Sequence, residues 1–191
     1  MKKRKARTPR RKPALRRRKS PTVSELIHAT AARLKRAKLV FAHGTSDPVA
    51  EAAFLVGETL GIHPDHVDAR AGMVVSAAQQ KKISALVARR IRTRKPAAYL
   101  LKRIYMRGVP FYIDERAIVP RSYLGEILDS ELFAGESFSL MPDPGAVRRV
   151  LDLCTGSGCL AILAALRFQK ANVDAVELSK AAFGEIGRAH V

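Results

Sequence analysis

The sequence predicts an α/β chain in two parts, a bundle of helices and then the opening of a parallel, nucleotide-binding type of sheet that is incomplete. Three observations carry this. Apolar residues recur at helical spacing between residues 21 and 102. From residue 103 short alternating runs replace them. Finally, Val150 to Leu166 reads as an apolar strand, a glycine turn and an alanine- and leucine-rich helix.

The helical part has its own punctuation. Pro21-Thr22 opens a pattern with Val23, Leu26, Ile27, Ala31 and Leu34 on one face, expected to stop near His43-Gly44. Asp47-Pro48 supplies an N-cap and a first helical residue, and Gly61 ends that helix. Ser76-x-x-Gln79 is a capping-box pattern for a third helix carrying Ile83, Leu86, Val87 and Ile91. Its other face, with Lys81, Lys82, Arg89, Arg90, Arg92 and Arg94, reads as solvated surface, the alternative being a basic face that touches RNA. Residues 103–121 read as a linking hairpin around Gly108 and a rigid corner at Val119-Pro120. Ser122 then caps a helix through Leu128 and Leu132, and Pro142 to Gly145 is a loop.

Charge is unevenly spread. The net charge is +18, and residues 1–20 hold twelve Lys or Arg and no acid, leaving +6 for the rest. Such a tail has too little to bury and is expected to be disordered, either as a solvated extension or as an arm touching ribosomal RNA. No apolar run approaches the ~20 residues a membrane span needs. No secretory signal follows the charged start, and Pro9, Pro13 and Pro21 argue against an amphipathic presequence. Cys154 and Cys159 match no common zinc spacing, so no metal is expected, and reduced thiols suit a cytoplasmic protein.

The chemistry concentrates at the glycine turn. Gly156 and Gly158 allow positive φ and let a ligand lie against the main chain, while the N–H groups opening the next helix point at it. The next strand, from Val173, ends in Glu177, 21 residues beyond Gly156. There a Rossmann-like fold places the acid that accepts hydrogen bonds from ribose hydroxyls. The dinucleotide fingerprint would require a third glycine three residues after Gly158, which is absent. The order Asp152-x-Cys154-x-Gly156-x-Gly158 resembles instead motif I of class I S-adenosylmethionine-dependent methyltransferases, with Cys154 where the first of three glycines usually stands.

A more specific resemblance covers about residues 22–183. Phe41-Ala-His-Gly-Thr45, Pro96-Ala-Ala-Tyr-Leu100, Gly108 to Ser122, Gly125-Glu126 and Leu151 to Cys159 are similar, in order and spacing, to the protein-(glutamine) N-methyltransferases. Val119-Pro-Arg-Ser122 is similar to the branch modifying a large-subunit ribosomal protein, the one numbered three; the release-factor branch usually has Ile-Pro-Arg-Pro there. The resemblance implies a helical substrate-recognition domain at 21–102 and the first part of a methyltransferase domain at 122–184. It also implies contacts to S-adenosylmethionine from Cys154, Thr155, Gly156, Ser157, Gly158 and Glu177, with Asp152 shaping the loop.

The family's catalytic Asn-Pro-Pro-Tyr has no counterpart here, since the one asparagine is Asn172, followed by Val173. The expectation is therefore an inactive, C-terminally truncated fragment, with residues 185–191 a non-native tail. Those seven residues can be written GAG ATC GGA AGA GCA CAC GTC, the start of a common sequencing adapter. Two alternatives stay open: a methyltransferase acting on release factor or on a nucleobase amine, and a non-catalytic ribosome- or RNA-binding protein.

Overall fold

The computed structural model describes residues 20–41, 47–130, 132, 141, 143–184 and 186. The basic tail at 1–19, most of the 185–191 segment and part of the Phe41 to Thr45 motif lie outside them.

Helix α1 spans Val23–Arg36 and opens with a capping box: Thr22 Oγ1 accepts from Glu25 N, and the Glu25 carboxylate accepts from Thr22 N at 2.8 Å. It ends several residues before His43. Ala37 caps it, Lys38 adopts a left-handed φ of 48°, and the chain reverses so that Leu39 drops into the core. Helix α2, Pro48–Leu60, starts on Asp47, whose Oδ1 accepts from Val49 N (2.7 Å) and Ala50 N (3.0 Å). It stops at Gly61 with φ 69°, as its sequence requires. Helix α3, Ala77–Thr93, carries the expected Ser76–Gln79 box.

These three helices bury Val23, Ile27, Leu34, Leu55, Val56, Ile83 and Val87 against one another, with Val67 and Val75 from the intervening turns closing the core. One expectation fails here. Arg90 does not face solvent: it is buried and forms a two-pronged pair with Glu51 on α2, Nε to Oε1 at 2.7 Å and a terminal nitrogen to Oε2 at 3.3 Å. Helical periodicity explains the error. Arg90 lies three residues after Val87 and seven after Ile83, so it shares their inward face, and a guanidinium is tolerated there because Glu51 neutralises it. The same terminal nitrogen also donates to Val40 O at 3.3 Å.

A short helix α4, Ala97–Leu101, leads into a two-stranded antiparallel hairpin, β1 (Ile104–Met106) and β2 (Val109–Phe111), in register Met106 to Val109. Both turn residues, Arg107 and Gly108, have positive φ (53° and 75°), the signature of a type I′ turn. Helix α5 runs Tyr123–Leu128 with Ser122 as its cap, so Leu132 falls outside it. The last elements are β3 (Arg149–Leu153), α6 (Cys159–Arg167), β4 (Asn172–Val176) and α7 (Lys180–Phe183).

Strands β3 and β4 pair in parallel, with Val150 opposite Val173 and Leu153 opposite Val176. One face of this ribbon lies on α6; on the other, Leu151, Leu153 and Val176 are exposed, as is Leu178 just beyond β4. A second core joins the halves: Phe111, Ile113 and Val119 pack with Cys159 and Leu163 of α6, and Phe54 of α2 touches both cores. Tyr99 Oη donates to Ala117 O at 2.9 Å across the same junction.

Removing one partner of the buried pair isolates its cost. Arg90→Met should lower stability by about 3–5 kcal/mol because Glu51 is left charged and dry. The double variant Glu51→Leu with Arg90→Met should recover most of that loss. Urea unfolding midpoints measure both, and equal midpoints for wild type and Arg90→Met would show that the pair does not clamp α2 to α3.

Candidate functional site

The glycine turn is built by short-range geometry and then held by a long-range bond. After Leu153, Cys154 takes a left-handed φ of 59°, and Gly156 and Gly158 follow at 59° and 82°. Three left-handed residues in five reverse the chain tightly enough to start α6 directly on Gly158, with no side-chain cap. Thr155 N donates to Val176 O at 3.0 Å, carrying the β3–β4 pairing one step into the loop. Thr155 Oγ1 donates to Asp152 Oδ2 at 2.5 Å, so Asp152 is committed to the base of the turn.

Glu177 supplies the long-range bond. Its Oε2 accepts from Gly156 N and its Oε1 from Ser179 N, both at 2.8 Å. The N–H of Ser179, with that of Gly156, holds the carboxyl below its usual range, since both bonds favour the ionised form. A carboxylate has about four acceptor positions, so these bonds do not saturate it. Above Gly156 there is open space: a Cβ built there would meet no atom within 4 Å.

The structure thus brings Asp152, Thr155, Gly156 and Glu177 into one hydrogen-bonded unit. Cys154 lies exposed on its rim. The Ser157 side chain points the other way: it is buried, with Oγ 3.2 Å from Cys159 Sγ, which leaves only its backbone to face the turn. Sequence reading assigned Glu177 to a ligand and missed that it ties the loop. The signal was available in part, because a carboxylate two residues before Ser179 suits an Asx-type local bond, but the bond to Gly156 spans 21 residues.

A separate apolar cavity of about 350 Å³ lies between α2 and β1, lined by Phe54, Gly57, Ile62, Val67 and Tyr105. At its edge Glu58 accepts from Tyr105 Oη (2.8 Å) and Arg103 (3.0 Å), and burial together with the Glu58 carboxylate pushes the Tyr105 phenol up. Among the described residues no cluster of His, Cys, Asp or Glu could hold a metal ion, and no helix is long and apolar enough to cross a membrane.

A helical N-terminal part followed by a strand, a glycine turn held by an acid on the next parallel strand, and a helix defines the opening of a class I methyltransferase. Comparison with known proteins agrees. Residues 25–101 match the family described as the PrmC N-terminal domain. The chain is 59% identical over 162 residues to the ribosomal protein uL3 glutamine methyltransferase of Bradyrhizobium diazoefficiens, covering 84% of this chain and 51% of that protein. It is 44% identical over 158 residues to the protein of the same name from Burkholderia pseudomallei and 42% over 158 residues to that from Bordetella pertussis, with 83% of this chain covered in each case. The chain is thus similar over most of its length to proteins named as protein-glutamine methyltransferases, and it spans about half the length of the curated relatives it matches. The methyl donor of such enzymes is in general S-adenosylmethionine.

Two outcomes test the turn. Cys154→Gly should stabilise the chain by up to about 1 kcal/mol, because a left-handed non-glycine residue carries strain of roughly that size; a lower melting temperature would contradict it. The ionised form of Glu177 favours the folded turn, so its contribution is complete at neutral pH and fades as pH falls through the lowered carboxyl value. The stability difference between wild type and Glu177→Gln should therefore be largest above about pH 5 and shrink towards pH 3. A difference independent of pH would rule this out.

Proposed function

We propose that the turn from Asp152 to Gly158, with Glu177, forms the S-adenosylmethionine side of a methyl-transfer site. In this reading the backbone at Cys154, Thr155, Gly156, Ser157 and Gly158 cradles the amino-acid end and ribose, and the remaining acceptor capacity of Glu177 takes ribose hydroxyls. Asp152 shapes the loop through Thr155. The bound cofactor supplies a methyl group on a sulfonium, which leaves as a thioether when the methyl is transferred. The reading is supported most directly by Glu177 closing on Gly156 N beneath open space.

The whole protein, we infer, methylates the side-chain amide nitrogen of a glutamine in ribosomal protein uL3, as the names of the relatives state for those proteins. An amide nitrogen is a weak nucleophile because its lone pair is shared with the carbonyl. The site must hold it in line with the sulfonium methyl and accept its N–H hydrogens, so that the nitrogen loses a proton as the N–C bond forms. The described residues provide no such acceptor pair beside the turn; they provide the donor side. Residues 21–102 form the substrate-recognition domain, 103–121 the link and 122–184 the first part of the transferase domain. The basic tail contacts ribosomal RNA, and the protein works in the cytoplasm.

Two measurements check this. A chimera of residues 1–183 joined to the C-terminal half of the Bradyrhizobium relative should transfer labelled methyl to uL3 in under-methylated large subunits and not to release factor. A folded chimera that labels release factor alone, or nothing, would defeat the assignment. The 191-residue chain by itself has one wall of the site and should show no micromolar binding of S-adenosylmethionine by calorimetry.

A further inference from the structure

The helical body is electrically two-sided. Between residues 26 and 46 the sequence holds four Lys or Arg and no acid, and between 69 and 113 it holds eleven and no acid. Of the six acids of this body, Glu25 caps the start of α1, and the other five, Asp47, Glu51, Glu58, Asp65 and Asp68, fall at the N-cap of α2, on α2 and on the turns that follow it. Folding brings the two acid-free stretches together. Arg33 of α1 donates to Ser84 Oγ of α3 at 3.3 Å, and Arg94 at the end of α3 donates to Lys38 O at 2.7 Å. The late turns of α1 and the length of α3 are thereby fixed side by side.

On that face stand Arg33 and Arg36 from α1, Lys38 from the turn after it, and Lys81, Arg89 and Arg92 from α3, all exposed except the half-buried Arg33. Among the described residues no carboxylate pairs with any of them; the cations of α3 and its following turn that do find acids are the buried Arg90 and Lys95 at the far end. Ordinary solvated surface alternates signs and carries such pairs. The exposed residues between the α3 cations are Ser84, Ala85, Ala88 and Thr93, short side chains over which a polyanion could approach the helix closely. No large apolar side chain stands among them to enter a bilayer, as a membrane-surface helix requires.

We infer that this α1–α3 face is a binding surface for the phosphate backbone of folded RNA, separate from the basic tail and from the glycine turn. The face reads charge and spacing rather than bases, because Lys and Arg on rigid helices set register along a backbone without presenting base-edge contacts. Its choice of RNA rests on the ribosomal reading above. Binding is measured without uL3 or S-adenosylmethionine, so failure here and failure of methyl transfer are told apart.

The test is fluorescence anisotropy of the whole chain on an RNA hairpin of about 20 base pairs across a salt series, with the tail present in every variant so that its contribution cancels. Lys81→Gln, Arg89→Gln and Arg92→Gln together should weaken binding about tenfold or more near 0.1 M salt and reduce the salt slope by roughly 2–3, on the order of 0.9 per lost phosphate contact. The charge-conserving triple Lys81→Arg, Arg89→Lys and Arg92→Lys should bind within about twofold of wild type. So should a control neutralising Arg148, Arg149 and Lys170 elsewhere on the surface. Equal losses in face and control variants would show only net charge and overturn the inference. So would binding to phosphatidylglycerol vesicles that depends on the face while RNA binding does not. Matching circular dichroism and melting curves establish that each variant is folded.

Discussion

One carboxylate holds the candidate site together. The Gly156 turn contains three left-handed residues in sequence positions 154, 156 and 158, a conformation that costs energy wherever a side chain is present. Glu177 opposes that cost by accepting the Gly156 N–H from across the sheet while its other oxygen fixes the start of α7 through Ser179. Because β3 and β4 are parallel neighbours in a fixed register, the acid at the end of one strand stands beside the turn at the end of the other. The same carboxylate therefore shapes the turn and marks it with negative charge, which suits a cationic, hydroxyl-bearing ligand.

The remainder of the fold positions this clasp. Helix α6 is docked by Cys159 and Leu163 onto Phe111, Ile113 and Val119, so the hairpin and the Val119 corner form the bed on which the turn rests. Gly125 permits α5 to approach closely, since a Cβ there would stand 3.1 Å from Met106 Sδ and 3.4 Å from Leu163. On its far side the ribbon shows Leu151, Leu153 and Val176 to solvent. Parallel sheets are ordinarily covered on both faces, and this apolar strip is consistent with a chain spanning half the length of its relatives.

In the helical body a different electrostatic economy applies. Apart from Glu25 at the start of α1, its acids are gathered on α2, its N-cap and the turns after it, one of them buried against Arg90, while the exposed cations of α1 and α3 pair with no carboxylate among the described residues. A buried ion pair thus joins the two sides, and because Glu51 and Arg90 are both about 3% exposed, it acts as a specific clamp and not as a surface attraction. Segregation of this kind leaves the outward face with an uncompensated positive field near a protein whose relatives act on a ribosomal component.

The sequence by itself determined what depends on neighbours a few residues apart. Asp47-Pro48, Ser76-x-x-Gln79, Gly61 and Gly108 each set a cap or turn by local geometry, and all four appear where their residue types place them. The apolar run from Val150 and the glycines after it likewise marked the strand and turn of the candidate site. Only the tertiary structure decided that Arg90 turns inward to meet Glu51, 39 residues away, that Ser157 faces Cys159 rather than the turn, and that Glu177 spends one of its bonds on Gly156. The physical reason is common to these cases. A charged or polar group can be buried or strained only when a partner distant in sequence compensates it, and the identity of that partner is fixed by how the elements pack.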